Sequence, residues 1–239
     1  MVAATARAEV EGGIPLARGT IWTGEGLGAT TYGGVSFASQ DAAPMSRIEG
    51  GGWYNYRPHF LGGAAFHLAM AFPSSNSSLF TSRYELFTSA VWPFGESSAF
   101  QSMWLVDWGR QDFYVDTAAG APPAFLTSPS YGTGFLCAVG TRLGDVVGLR
   151  ASAGGRGTWW RMAAGARDLE YTWEIEPAVS LGLHKLWRRS GELTKAWEIA
   201  LRMPLEYTPD QVDISGIKGR KYAPGKWQTG LCLGLAAVF

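Results

Sequence analysis

A closed antiparallel β-barrel that crosses a membrane with its strands is the fold class this sequence predicts, and three observations carry it. The first is the stretch from Asp168 to His184, which reads as two interleaved sequences. Leu169, Tyr171, Trp173, Ile175, Pro177, Val179, Leu181 and Leu183 fall on one face, and Asp168, Glu170, Thr172, Glu174, Glu176, Ser180 and His184 on the other. A pleated strand sends successive side chains to opposite sides, so this one lies between an apolar and a polar medium. The second is that no run approaches the ~18 consecutive apolar residues of a membrane-spanning helix, so any crossing is made by strands. The third is a further alternating run that reaches Phe239.

Composition agrees. With 239 residues, 46% hydrophobic and 17% charged, the chain can bury a full core and carries no signature of disorder. Lys plus Arg and Asp plus Glu both number 20, which removes the charge excess that a nucleic-acid partner would require. Glycine at 32 residues and aromatics at 13%, with 11 Trp, suit close strand packing and anchoring at a membrane interface. The start, Met1 to Arg7, has no basic segment followed by an apolar stretch, so it reads as a mature chain carrying an added Met.

Taken in order, the alternating segments run approximately over 27 to 39, 47 to 56, 60 to 72, 80 to 92, 98 to 108, 130 to 143, 146 to 154, 167 to 186, 195 to 207 and 226 to 239. The second is the weakest. The apolar sets are explicit: Phe66, Leu68, Met70 and Phe72; Tyr84, Leu86, Ala90 and Trp92; Trp104, Val106 and Trp108; Trp197, Ile199, Leu201, Met203 and Leu205. Each segment matches the ~9 to 11 tilted residues that cross a bilayer. Residues 1–26 are expected to form a periplasmic segment or an extra hairpin, and 27–239 the barrel of about ten strands, with about eight or twelve as alternatives. Twelve would follow if Thr5 to Glu11 paired with Thr20 to Gly26.

Connections supply a second check, because barrels of this sort alternate short turns with longer loops. Counting back from Phe239, residues 208 to 225, 155 to 166 and 109 to 129 fall on one side and are long. Trp187 to Thr194, Gly144-Asp145, Pro93 to Glu96 and Arg57 to His59 fall on the other and are short. The parity requires an even strand number.

A soluble barrel has the same period with the faces reversed, so the orientation needs other residues. Several segments carry little charge on either face: opposite the apolar sets of 27 to 39 and 60 to 72 stand mainly Gly, Ala and Ser, with Tyr32 and His67. Aromatics gather near segment ends, at Trp92, Trp108, Tyr131, Tyr207, Trp227 and Phe239, as interfacial girdles do. Both point to apolar side chains facing lipid. Cys137 and Cys232 then face opposite sides of the wall and form no disulfide.

The last residues, Cys232-Leu-Gly-Leu-Ala-Ala-Val-Phe239, resemble the terminal signal of bacterial outer-membrane proteins, in which a Gly is followed by spaced apolar residues ending in Phe. Gly234, Ala237 and Phe239 match; Cys232 stands where a polar residue is usual, and Ala237 is smaller than the common choice. The resemblance implies a bacterial outer-membrane location with both termini periplasmic, and as partners the outer-membrane assembly machinery, outer-membrane lipids and lipopolysaccharide. It names a class and no particular family.

With apolar sets turned to lipid, the polar sets line the lumen: Arg83, Glu85, Asp107, Arg142, Arg150, Glu170, Glu174, Glu176, His184, Glu198, Arg202 and Glu206. Charges of both signs on neighbouring walls should pair, since an isolated buried charge is costly. The small side chains of 28 to 38 and 61 to 71 leave room for a passage or ligand cavity. Pro177 and Pro204 lack the N–H of a central ladder position and come to nearly the same height, which predicts a local bulge or divergence.

No nucleophile with a His base, metal-ligand spacing, phosphate loop or nucleotide fingerprint is evident, so no cofactor is expected and catalysis has the least support. His59, His67 and His184 are followed two residues later by Leu61, Ala69 and Leu186, which fails the His and Ser spacing of barrel deacylases. Two functional expectations lead. The first is a narrow pore for ions or small solutes. The second is a plugged structural or surface-interaction barrel whose Trp159-Trp160-Arg161 and Lys218 to Lys226 loops contact lipopolysaccharide or a protein partner.

Overall fold

A strand in hydrocarbon finds no water, so each N–H and C=O must be bonded by a neighbouring strand, and the row ends only by closing on itself. The computed structural model describes residues 14–21, 26–38, 44–56, 59–74, 77–115, 124–144, 146–161, 167–183, 196–207 and 227–238, and they form such a closed wall. β1 (Ile14–Leu16) and β2 (Gly19–Ile21) make a separate hairpin. The wall begins with β3 (Gly26–Ala38), β4 (Met45–Asn55), β5 (Phe60–Ser74), β6 (Ser77–Pro93) and β7 (Ser98–Val115). It continues with β8 (Ala124–Leu143), β9 (Val147–Arg161), β10 (Arg167–Leu183), β11 (Ala196–Arg202), β12 (Leu205–Tyr207) and β13 (Trp227–Val238).

Each wall strand is antiparallel to its neighbours, and β13 closes the cylinder on β3 from Gln228↔Ala38 to Val238↔Gly28. β11 and β12 are two pieces of one strand between β10 and β13, so the wall has ten strands. The register from Gly26 passes through Asn55, Leu61, Ser89, Met103, Leu136, Gly154, Glu174, Glu206 and Gln228 and returns to β3 at Ala38, twelve residues beyond its start. A stagger of that size tilts the strands by roughly 35–45° to the axis. The alternative of twelve wall strands is corrected: the N-terminal hairpin is shorter, spans Ile14–Ile21 and is not part of the wall. Thr5 to Glu11 lies outside the described residues.

One rim carries tight turns. Gly95 and Gly144 turn there with φ of 74° and 66°, the left-handed region that a side chain disfavours. The opposite rim carries the longer connections 116–123 and 208–226, although β5 and β6 are joined there by 75–76 alone and the turn rim includes the long 184–195; several strands run further toward the opposite rim than their hydrophobic patterns indicate. β7 and β8 pair as far as Val115↔Ala124, and β9 and β10 as far as Arg161↔Arg167. The expected loops at 109–129 and 155–166 are thereby corrected: strand pairing persists where no apolar medium imposes alternation. Trp159, Trp160 and Arg161 belong to β9 rather than to a loop, while Lys218 to Lys226 lies outside the described residues.

The two prolines interrupt the wall without shifting it. Ala178↔Arg202 and Glu174↔Glu206 keep one register on either side of Met203 and Pro204, and the ladder is lost only between them. The carbonyls of both prolines still accept, Pro177 from Met203 N at 3.0 Å and Pro204 from Gly230 N at 2.8 Å. The result is a divergence and not a bulge.

The outer face is apolar across the wall. Trp104, Trp173, Ile48, Leu181 and Leu233 are exposed there, and aromatic pairs flank the band: Trp92 with Phe100 toward the turn rim, Tyr84 with Trp108, Tyr131 with Trp159 and Tyr207 with Trp227 toward the other. Cys137 is half-buried on this face, whereas Cys232 is buried inside, and both are free thiols. Water could not stabilise so continuous an apolar exterior.

Leu233 is 60% exposed midway along β13. Leu233→Arg is expected to lower folding stability in lipid vesicles by about 2–4 kcal/mol, and Tyr114→Arg, near the far end of β7, by less than about 1 kcal/mol. Denaturant titration followed by Trp fluorescence checks this, and equal losses would contradict the membrane assignment.

Candidate functional site: the filled lumen

Along its axis the interior changes character in three steps. Nearest the turn rim it is dry. Trp53, Leu61, Phe87, Met103, Leu105 and Leu136 are buried and pack with Ala17 of the hairpin, while Ile14 and Leu16 pack with Val91 and Ala99. This apolar floor departs from the expectation of polar sets throughout the lumen. Strands such as β8, with Leu136 and Ala138 opposite Phe135 and Val139, are apolar on both faces, so alternation is silent about what points inward there. The room left by small residues on β3 and β5 is also taken. A Cβ on Gly28 would strike the ring of Trp53, and one on Gly63 would strike the Phe87 ring, so these glycines house inner aromatics.

The hairpin is seated by wall side chains that answer its main chain. Ala17 N donates to Gln101 Oε1 at 3.1 Å, Arg150 Nη1 donates to Leu16 O at 3.0 Å, and Trp53 Nε1 donates to Thr20 O at 3.1 Å. Gln101 is held in turn, its Nε2 donating to Ser89 Oγ, which donates to Leu61 O. A residual cavity of about 30 Å³ lies beside the hairpin tip, bounded by Arg18, Tyr32, Glu49 and Trp53.

Above the floor comes a waist of ion pairs. Arg202 donates from Nε to Glu176 Oε1 at 2.8 Å, from Nη2 to Glu176 Oε2 and from Nη1 to Glu49 Oε2 at 2.6 Å, with its guanidinium carbon 4.5 Å from the Tyr32 ring centre. Arg47 meets Glu206 at 2.8 Å and Glu49 at 3.4 Å. Arg18, at the hairpin tip, meets Glu85 at 2.8 Å and Glu174 at 4.0 Å. Arg150 lies 3.7 Å from Glu176, and His67 stands between Glu49 and Glu85 at 3.5 Å from each. Such forked, multiply bonded pairs offset the desolvation of buried charge, which single contacts would not.

Beyond the waist, toward the longer connections, a polar vestibule of about 170 Å³ opens, lined by Arg83, Asp107, Arg156, Trp160, Glu206 and Gln228 among others. Trp160 Nε1 donates to Glu170 Oε2 at 2.8 Å there.

The candidate lumen residues therefore divide. Glu85, Glu174, Glu176, Arg150 and Arg202 gather in the waist. Arg83 and Asp107 line the vestibule. Glu198 is buried lower down, accepting from Thr20 Oγ1 at 3.4 Å. Arg142 is half-buried at the turn rim, its N bonded to Ser97 O. His184 lies outside the described residues. Gly234 and Ala237 sit within β13 opposite Tyr32 and Ala29 of β3, and Phe239 lies outside the described residues. The reading missed Arg18, Arg47, Glu49 and Arg156. Arg47 and Glu49 carried a signal, alternating with Gly51, Trp53 and Asn55 along β4; Arg18 carried none, because three-residue strands have no period to detect.

No protein-family model and no curated protein sequence matches the chain. Among solved structures it is similar to the translocator domain of the autotransporter NalP from Neisseria meningitidis, with TM-score 0.58 and 8% identity over 91% of this chain and 88% of that one. It is similar also to the β domain of the Bordetella autotransporter BrkA, with TM-score 0.50 and 12% identity over 90% of this chain and 99% of that one. A looser likeness, TM-score 0.36 at 10% identity, extends to the outer membrane protease OmpT from Escherichia coli over 95% of this chain and 94% of that one. The fold is that of bacterial outer-membrane β-barrels.

Removing Arg202 leaves Glu49 and Glu176 facing each other's charge in a buried site. Arg202→Met should cost about 3–5 kcal/mol of stability, and Glu176→Gln less, because Arg202 keeps Glu49. Midpoints of the heat-dependent mobility shift on detergent gels, compared with wild type, measure both; an unchanged midpoint for Arg202→Met would contradict the role given to the waist.

Proposed function

We propose that this protein is an outer-membrane barrel shut by its own N-terminal hairpin, a surface-interaction barrel and not an open pore. In this reading the turn rim and both termini face the periplasm, and the vestibule faces outward. The observation that carries it is the seating of Ile14–Ile21 in the lumen, where Gln101, Arg150 and Trp53 satisfy main-chain groups of the hairpin and Arg18 joins the ionic waist. A segment held on so many sides costs several hydrogen bonds and an ion pair to withdraw. Conduction of ions or small solutes, the competing reading, requires that withdrawal. The outer aromatic pairs, Tyr84 with Trp108 and Tyr131 with Trp159, would contact lipid headgroups and lipopolysaccharide, as ring systems with one wet edge do at such interfaces.

Gly140 provides the test. A Cβ there would collide with the Pro15 carbonyl, so Gly140→Val pushes the hairpin out while leaving the wall ladder intact. Purified wild type in planar bilayers should be silent, and Gly140→Val should conduct. Steady conductance by the wild type would overturn the closed reading in favour of the pore.

A further inference from the structure

The vestibule holds charged groups of both signs whose hydrogen bonds the described residues leave incomplete. Asp107 is 4% exposed, yet neither of its carboxylate oxygens has a hydrogen-bond partner among the described residues. Arg83 is in the same position at Nε, and among the described residues neither Arg83 nor Arg156 is engaged in an ion pair. All three line the one cavity. The other charged groups of that wall are occupied: Arg47 by Glu206 and Glu49, and Glu170 by Trp160. Buried polar groups in folded proteins are bonded to something, so a buried carboxylate and a guanidinium Nε without hydrogen-bond partners among the described residues, on the wall of one cavity beside a second guanidinium, point to a ligand that would complete them.

The Asp107 carboxylate is seated over a glycine. Gly132 lies opposite Asp107 across the β7–β8 ladder, and a Cβ there would come to 2.9 and 3.0 Å from the Asp107 carboxylate oxygens. A side chain at Gly132 would displace that carboxylate. A lone anion of the size of phosphate would be drawn to Arg83 and Arg156 but repelled by Asp107, and a metal ion would meet the reverse. A ligand carrying both signs satisfies all three groups. At about 170 Å³ the cavity has room for a ligand of amino-acid size.

We propose that the vestibule is a binding site for a small zwitterion of the amino-acid class, its carboxylate on Arg83 and Arg156 and its ammonium on Asp107. The forked guanidinium geometry suits a carboxylate, and Asp107 supplies the acceptor for the ammonium hydrogens. Trp160, on the cavity wall, reports occupancy by fluorescence.

The inference rests on the closed-barrel reading, because the waist and hairpin form the floor of the site. The test uses the full-length chain in detergent micelles, titrated with the common L-amino acids while Trp fluorescence is followed. The tightest binder is then compared with its own deaminated and decarboxylated analogues. At least one amino acid should bind saturably, and both single-charge analogues should bind about tenfold more weakly or worse, the value of one charge-assisted bond. Asp107→Asn should remove the advantage of the amino acid over its carboxylate-only analogue, and Arg156→Gln its advantage over the amine-only analogue. Retention of the heat-dependent gel shift shows that each variant is folded, and Asn preserves the side-chain volume of Asp107. Absence of saturable binding by any amino acid, equal binding of the analogues, or an unaffected Asp107→Asn overturns the site. Bilayer conductance of the same preparation separates the two readings: a silent barrel without binding sinks the site alone, whereas a conducting wild type sinks the closed barrel beneath it.

Discussion

Pairing of β13 with β3 is the constraint from which the rest follows. Until Gln228↔Ala38 through Val238↔Gly28 form, two strands present unbonded N–H and C=O groups to a medium that cannot bond them. Once they form, every wall strand has two neighbours and the chain has an inside and an outside. Side-chain alternation then ceases to be a local property: Leu231, Leu233 and Leu235 are committed to lipid, and Gly230, Cys232 and Gly234 to the interior. Small inner residues belong at this seam, since a Cβ on Gly234 would strike the Tyr32 ring, which itself supports the Arg202 guanidinium.

Closure creates an interior that must be filled, and the chain fills it by two different chemistries. Toward the turn rim, where the hairpin enters, apolar contacts with Ile14, Leu16 and Ala17 supply cohesion without directional demands. Hairpin peptide groups in such surroundings would be costly if unbonded, and Gln101, Arg150 and Trp53 meet them one by one. At mid-height the filling is ionic. Arg18 rises from the hairpin to glutamates contributed by β6 and β10, so the segment seated in the lumen is also a member of its charge network. Hairpin and waist are therefore coupled.

Much of this was legible in the sequence where one medium lies on each side of a strand. The run Asp168 to His184 announces its two faces, and the wall strands from β3 to β13 can be located from such runs. Legibility fails wherever both sides share a character. The far ends of β7 and β8 lie beyond the apolar band, so Arg110 and Asp112 look like loop residues although their backbones are paired with Pro129 and Thr127. Within the floor, Leu61, Met103 and Leu136 look outward-facing by type but point in, because a plug rather than water meets them. The charged members of the candidate site on long strands could be found by parity alone. Arg18 could not, since its position is fixed by tertiary contacts and not by any period.

The axial order of floor, waist and vestibule has a consequence for which charges remain available. A dry floor lowers the local dielectric beneath the waist, which strengthens each ion pair there and binds Arg202, Arg47 and Arg18 firmly to Glu176, Glu206, Glu49 and Glu85. Glu206 also acts on Arg83 and Arg156, and Glu85 on Arg83, but neither forms an ion pair with them among the described residues. Asp107, set on β7 with its carboxylate over Gly132, finds no arginine within ion-pair distance among the described residues. The vestibule arginines thus have carboxylate neighbours but no direct ion pair among the described residues, because the nearest carboxylates bond the arginines of the waist. Glu206 is the link between the two levels: it lines the vestibule and bonds Arg47 of the waist, so freeing it from Arg47 would let it pair with Arg83 or Arg156, and the state of the outer cavity is tied to how firmly the centre is held.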